Sequence, residues 1–216
     1  MSRTELGVAL ASVIIVAGVL SIPIAEPVSD AAPLSVPRII PSPTPTSTAS
    51  AAPTLVGTGC AAYTAQSPSG AASIAAMSKE SLAIAIANNP MLTTLNSAIT
   101  AKMNAKVNLV TTFDNAQFTV FAPVDSAFVK NPNVASLKLS SNATKLTGIL
   151  EYHVVPGELQ PANVDGTLNS LEGGTLTVTG SGDNIKVNGA SVICGGIQTA
   201  NATVYLIDTV LTPPAK

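Results

Sequence analysis

Residues 175–194 read TLTVTGSGDNIKVNGASVIC, and this stretch indicates the class of fold more clearly than any other part of the chain. Its first five residues alternate polar and apolar side chains, which predicts a half-buried strand. The alternation resumes at residues 184–187 after a turn rich in glycine. Asn188 and Gly189 are then a strong signal for a two-residue hairpin that leads into a strand at residues 190–194. The stretch therefore predicts an antiparallel sheet.

Two apolar runs outside this stretch predict further strands. Residues 118–121 read FTVF and are followed closely by Pro123, and residues 203–207 read TVYLI. Short runs rich in β-branched and aromatic residues are typical of buried strands. We expect both runs to join the sheet.

Three helices are predicted ahead of most of these strands. The first is expected to start at Ser78 and to end at Asn88. Asn89 is expected to cap the second, with Pro90 in its first turn, and the third covers residues 142–152. Helices that precede an antiparallel sheet indicate an α+β domain rather than alternating βαβ units. The apolar side chains expected on the buried helix faces are Leu82, Ile84, Ile86, Leu92, Leu95, Ile99, Leu146, Ile149 and Leu150.

The composition limits the partners that the domain can have. The 216 residues are 46% hydrophobic but only 3% aromatic, so Ala, Thr, Val and Leu have to build the core. From Thr58 onward there are 8 Lys, no Arg and 9 Asp plus Glu, which gives a net charge of 8 − 9 = −1. Nucleic acids and anionic membrane surfaces both attract strongly basic patches. This charge balance argues against either of them as the partner of the domain.

Residues 1–31 are expected to be a signal segment. An uncharged, mostly apolar run at residues 6–25 follows a short segment that holds Arg3. Such a run is typical of a secretory signal, and its length also suits a membrane anchor. Pro23, near the end of the run, favours cleavage. We therefore expect a protein that is secreted or held in the cell envelope, with the membrane as a partner only through an uncleaved segment.

Residues 32–57 are expected to form a disordered linker ahead of a folded domain at residues 58–216. The linker is dominated by Pro, Ser, Thr and Ala, and it holds no aromatic residue. Proline at this density keeps a chain extended, and a segment of this composition cannot bury a core. The threonines between the prolines suit O-glycosylation, and an unmodified linker fits the sequence equally well.

Cys60 and Cys194 are the only cysteines in the chain. An even number of cysteines in an exported protein predicts a disulfide, which would tie the start of the domain to the late hairpin. Two cysteines 134 residues apart, together with a single histidine, do not suggest a zinc site. Because no cysteine lies near the end of the apolar run, a lipid-modified cysteine at a mature N-terminus is not expected.

His153 is the only histidine, so a Ser-His-Asp triad would have to use it. The G-x-S-x-G motif that positions the nucleophile in many hydrolases does not occur in the sequence. A histidine between an apolar helix face and Val154 is more often a hydrogen-bonded core residue. The acidic residues are scattered rather than paired, and no glycine run resembles a phosphate loop. The sequence therefore predicts no catalytic activity, no metal and no cofactor.

Three stretches, taken in order, resemble the signature of the fasciclin domain. Residues 119–128, TVFAPVDSAF, look like its first box. Residues 152–155, YHVV, look like its tyrosine–histidine box, and residues 204–213, VYLIDTVLTP, look like its second box. The resemblance covers residues 73–214. The segment GCAAY at residues 59–63 is further similar to the secreted immunogenic fasciclin proteins of mycobacteria and related actinobacteria.

The resemblance implies a fold and a role. The fold is an α+β domain in which a β-wedge carries helices at one edge. The role is adhesion or interaction at surfaces and in extracellular matrices, with a protein, a matrix component or a glycan as the partner. In animal members, positions equivalent to Tyr152, His153 and Asp208 have been implicated in integrin binding. These three are therefore candidate binding residues, and the alternative is that they stabilise the fold.

Three functions are compatible with the sequence. The favoured one is an adhesion or interaction protein that acts as a monomer and has no catalytic activity. The alternative is a carrier or sensor that binds a small apolar ligand or a glycan in a groove of the domain. A third is a structural component of the envelope matrix. A deep apolar cavity would favour the carrier, whereas a flat exposed patch would favour a protein partner.

Overall fold

The computed structural model describes residues 54–214, and within them helices and strands form one α+β domain. The expected signal segment (residues 1–31) lies outside the described residues, as does the expected linker as far as residue 53. Val56 is buried and pairs with Gly195, so folded structure begins shortly before Thr58, where the domain was expected to start. No helix in the described part is long and apolar enough to cross a membrane.

The helices of the described residues are short, and all but one of them precede the strand that begins at Val154. Two of them are 3-10 helices, at Ser140–Asn142 and Gly182–Asn184. The α-helices are α1 (Cys60–Gln66), α2 (Ile74–Met77), α3 (Leu82–Asn88), α4 (Thr93–Ile99), α5 (Val110–Asp114), α6 (Asp125–Lys130), α7 (Val134–Leu137) and α8 (Ala143–Tyr152).

Two helix starts differ from the sequence prediction. Ser78 does not begin a helix but follows the four-residue α2, and Ser81 is the residue that precedes α3. The prediction was wrong here because both serines are good caps and α2 was not recognised. Asn89 does not cap α4 either. Its side-chain oxygen accepts a hydrogen bond from the N–H of Met91 at 2.9 Å, and α4 begins only at Thr93.

The predicted apolar helix faces are largely confirmed. Eight of the nine expected side chains are buried, and the exception is Ile84, which is 51% exposed. Leu82 and Ile86 supply the buried face of α3 at four-residue spacing, and Ile84 lies on the opposite side of the helix. The helix predicted at residues 142–152 is confirmed as α8, with one residue fewer at its start.

Seven strands form one mixed sheet. They are β1 (Phe118–Pro123), β2 (Val154–Pro156), β3 (Gly166–Asn169), β4 (Thr175–Thr179), β5 (Lys186–Val187), β6 (Ala190–Gln198) and β7 (Ala202–Ile207). Their order across the sheet is β2-β1-β7-β6-β5-β4-β3. All neighbouring pairs are antiparallel except β1 and β7.

The parallel pair β1–β7 corrects the expectation of a purely antiparallel sheet. The two strands run side by side from Phe118 opposite Ala202 to Pro123 opposite Ile207. Every residue of both strands is buried, which is typical of strands covered on both faces. A continuous apolar run predicts burial but carries no information about the direction of pairing.

The hairpin at Asn188 and Gly189 is confirmed. Val187 pairs with Ala190, so the two residues between them make the turn. Both have positive φ, +47° at Asn188 and +85° at Gly189, as a type I′ turn requires. The strand before the turn is shorter than expected, because a 3-10 helix at Gly182–Asn184 replaces its first residue.

The pairing of β6 with β7 is irregular around Cys194. The register between β6 and β7 shifts on either side of Cys194, and β6 continues through Gly195 and Gly196 instead of ending before them. A Cβ atom at Gly195 would overlap the ring of Tyr205, and Gly196 has a φ of +77°, so both positions require glycine. Such bulges bend a strand and increase its twist.

The central strands separate two apolar clusters. Because side chains alternate along a strand, Val120 and Leu206 pack in the cluster that contains the helices. Phe121 and Tyr205 pack in the other cluster, against the second half of the sheet, and their ring centroids are 5.5 Å apart. One pair of strands thereby supplies side chains to both apolar clusters.

Candidate functional site

His153 follows α8, and its ring is buried, with 3% of the residue exposed. Nδ1 lies 2.7 Å from the carbonyl oxygen of Ile149, and Nε2 accepts a hydrogen bond of 2.9 Å from the N–H of Leu211. Since Nε2 accepts, the proton of the neutral ring must be on Nδ1, which donates to Ile149. Both ring nitrogens therefore hold main-chain groups of this domain, and the ring joins α8 to the segment after β7.

The surroundings of His153 keep the ring neutral. Burial lowers its pKa to about 4, because the charged form would lose its hydration. The hydrogen bond to Ile149 acts in the opposite direction and is the smaller effect. A histidine in this state has no free nitrogen for acid–base chemistry.

Tyr152 is also buried, and its hydroxyl joins α8 to the strands. The hydroxyl donates to the carbonyl oxygen of Thr175 at 2.7 Å and accepts from Nδ2 of Asn188 at 2.9 Å. Asn188 in turn accepts from the N–H of Thr177 at 2.8 Å. The phenol is thus part of a hydrogen-bond network that holds the hairpin turn against β4.

Asp208 lies directly after β7 and is partly buried. Its Oδ1 accepts from the N–H of Ser191 at 2.9 Å and from the hydroxyl of Thr209 at 3.0 Å. Its own N–H donates to the carbonyl oxygen of Ser191 at 3.1 Å. The residue therefore extends the β6–β7 pairing beyond the end of the strand.

The three candidate binding residues thus contribute to different internal contacts. Tyr152 fixes the hairpin turn, His153 fixes the segment at Leu211, and Asp208 fixes the start of β6. The hydrogen-bonding atoms of Tyr152 and His153 are engaged inside the domain. A binding role for these residues stays a prediction, and their packing favours the alternative that they stabilise the fold.

The structure contains the expected disulfide between Cys60 and Cys194, with Cα atoms 4.7 Å apart. It fastens the first residue of α1 to the bent part of β6. Beside it, Val56 and Gly195 exchange two main-chain hydrogen bonds of 3.1 and 2.7 Å. Because both cysteines of the sequence are in this bond, neither is free to carry a lipid.

A groove of about 470 Å³ opens beside α4, α6 and α7, and the sequence did not predict it. Its apolar lining comes from Met103, Phe128, Val129 and Val134. No local pattern could have shown it, because its lining comes from segments that are far apart in the sequence. In the structure the groove is marked by Val129, an apolar residue just after the first box that is 85% exposed.

The charged residues of the groove are Lys102, Lys138 and Asp125. The carboxylate of Asp125 is engaged at the start of α4, where it accepts from the hydroxyl of Thr93 at 2.7 Å and from the N–H of Thr94 at 2.8 Å. Both lysines are exposed. Among the described residues, no group of three His, Cys, Asp or Glu side chains could hold a metal ion.

The fold and the three boxes together are those of a fasciclin domain. The family model of the fasciclin domain matches residues 90–213. The chain is 53% identical over 165 residues to the immunogenic protein MPB70 of Mycobacterium bovis, covering 76% of this chain and 86% of that protein. It is 50% identical over 162 residues to the cell surface glycolipoprotein MPB83 of the same species, covering 75% and 74% of the two chains. The chain belongs to the fasciclin family.

A solved structure shows the same fold at much lower sequence identity. It is a FAS1 domain pair from the insect cell adhesion molecule fasciclin I, with a TM-score of 0.51 and 15% identity. The match covers 65% of this chain and 52% of that one. The expected α+β fasciclin fold is confirmed, and so is the similarity to mycobacterial immunogenic members.

Proposed function

We propose that this protein is an extracellular interaction module, secreted or held at the cell surface, that works without catalysis. The observation that carries the proposal is its identity of 50–53% to relatives named as immunogenic and cell surface proteins. The disulfide supports an oxidising compartment, since such bonds are rare where thiols are kept reduced.

The state of His153 supports the absence of catalysis. A general base needs a nitrogen within reach of the substrate, and it works best with a pKa near the operating pH. Burial lowers the pKa of His153 to about 4, and both its nitrogens are bonded to the main chain. The partner is therefore expected to contact the outside of the domain, whereas Tyr152 and His153 preserve its shape.

Affinity capture tests this proposal. The exported protein, immobilised with its disulfide intact, is exposed to cell-envelope and extracellular-matrix fractions, and the retained proteins and glycans are identified. We expect saturable capture of a defined partner by the folded protein, and none by the same protein after reduction and unfolding. The proposal would be contradicted if the folded protein retained no partner from any of the fractions. Turnover of a substrate would also contradict it.

The groove favours the carrier or sensor function as a second candidate. It is open to solvent, and its volume of about 470 Å³ is within the range of small-ligand sites. A carrier would retain its small molecule through purification, and an organic extract of the purified protein would contain that molecule. The extract of an interaction module would contain none. Mass spectrometry of such extracts separates the two functions.

A further inference from the structure

The groove beside α4, α6 and α7 leaves apolar side chains in contact with solvent. Val129 is 85% exposed although it belongs to α6, and no other element of the described domain covers it. Met103 and Val134 are partly buried along the same groove, and Phe128 lies beneath with 5% exposure. Polar and charged side chains make up the rest of the lining, so the groove is an open, amphipathic surface with an apolar strip.

The charge of the groove favours an anion. Its two lysines, Lys102 and Lys138, are exposed, whereas the carboxylate of Asp125 is already hydrogen-bonded to Thr93 and Thr94. The net charge of the lining is therefore +1 (two lysines and one aspartate). Cations with free donors beside an apolar surface can hold a carboxylate through charge-assisted hydrogen bonds.

Residues 102–145, which supply most of the groove lining, are more basic than the part of the domain that follows them. Residues 102–145 contain five lysines and two aspartates, whereas residues 146–214 contain one lysine and six acidic residues. The uneven distribution raises the local concentration of small anions near the groove. A neutral apolar molecule would gain nothing from it.

We propose that this groove binds a single-chain amphiphilic anion of the fatty-acid class. The hydrocarbon chain lies along Met103, Phe128 and Val129, and the carboxylate binds between Lys102 and Lys138. A volume of about 470 Å³ accommodates one such chain rather than the surface of a folded protein. The inference deepens the carrier function, and it does not depend on the interaction role.

Titration calorimetry with dodecanoate, kept below its micelle concentration, tests the proposal on the exported protein. We expect saturable binding of one molecule per domain, and much weaker binding of dodecanol, which has the same chain without the charge. Octanoate should bind more weakly than dodecanoate, because fewer methylene groups leave water.

Three variants assign the binding to this groove. The double variant Lys102→Ala and Lys138→Ala should weaken dodecanoate binding about tenfold or more, because it removes two charge-assisted contacts. Val129→Asp should weaken binding to a similar extent by placing a charge against the chain. Lys145→Ala, an exposed lysine of α8 outside the groove lining, is the matched control and should leave binding unchanged. All four residues are exposed, so the variants are expected to fold.

Several results would overturn the proposal. One is the absence of saturable dodecanoate binding. Others are equal binding of dodecanol, or affinities that do not change in the groove variants. Binding only to phosphatidylglycerol vesicles, without binding of free dodecanoate, would assign the surface to a membrane instead. Partner capture by the double lysine variant is measured in parallel. This measurement distinguishes a groove that does not bind dodecanoate from a protein that does not bind a macromolecular partner.

Discussion

At the scale of single residues, His153 shows how a family signature can mark a structural position. Its ring bridges Ile149 and Leu211, two main-chain groups that would otherwise lack partners in the core. A buried polar group left without a partner costs free energy, so the ring and the main chain depend on each other. The contribution of His153 to the free energy of unfolding should therefore depend on pH, and this dependence can be measured.

Stability should fall as the pH drops from about 6.5 to about 4. The pKa of His153 is about 4 in the folded domain and near 6.5 in an unfolded chain, so the unfolded chain takes up the proton first. The contribution of the ring is complete above pH 6.5 and is lost on acidification, by up to about 3 kcal/mol below pH 4. Urea unfolding over this pH range measures it.

The variant His153→Gln is the control for this pH dependence, because it cannot titrate. Burial raises the pKa of Glu151, with the charge of Glu172 adding to the effect, and burial also raises the pKa of Glu158. Because their pKa values are raised in the folded domain, these carboxyls increase its stability as the pH falls. They do so equally in the wild type and in the variant, so their effect cancels when the two are compared. Equal slopes for the wild type and the variant would show that His153 does not cause the effect.

At the scale of elements, several helices depend on side chains from distant parts of the chain. The N–H of Thr94 in α4 binds Asp125, and the N–H of Leu82 in α3 binds Asn201. Helices of about seven residues are not stable alone, so these contacts and the packed faces hold them in place. Neither capping residue can be recognised from the sequence next to the helix that it caps.

Asn201→Ala should destabilise the domain by about 2 kcal/mol, because one side chain serves three main-chain groups. Its oxygen accepts from Leu82 at 2.8 Å, and its nitrogen donates to Phe113 at 2.8 Å and to Ala116 at 3.1 Å. Asn142→Ala, which removes a single bond to Ser136, is the matched control and should cost less. Chemical unfolding of both variants measures the difference, and equal losses would contradict this role.

The elements that could be predicted from sequence are those with local signals. The hairpin followed from two adjacent residues, Asn188 and Gly189, whose conformational preferences select one turn. The parallel pairing of β1 with β7 and the capping of α4 by Asp125 could not be predicted, because both arise from contacts between distant segments. The candidate site divides in the same way: the signature boxes identified Tyr152, His153 and Asp208, whereas the groove required the packed structure.

At the scale of the whole molecule, the disulfide connects the start of the described domain to a central strand of the sheet. Cys60 begins the first helix, and Cys194 lies in β6 where the pairing with β7 changes register. The bond closes a loop of 134 residues, and a loop of this length can contribute roughly 5 kcal/mol as an upper limit.

Thiol titration tests the disulfide in the purified protein. The unreduced, unfolded protein should show essentially no reactive thiol, because both cysteines are paired. The double variant Cys60→Ser and Cys194→Ser should unfold at a lower denaturant concentration while keeping the same fold. Two reactive thiols per unreduced chain would show that the bond does not form.

The most direct test of the central claim is to measure melting and partner binding together for His153→Ala and Asp208→Ala. Each variant leaves main-chain groups without a partner, at Leu211 and at Ser191, which typically costs about 1–3 kcal/mol. We predict a lower unfolding midpoint for both variants, with partner affinity retained at temperatures where they remain folded. Unchanged midpoints with lost binding would contradict the claim and would make these residues the contact site.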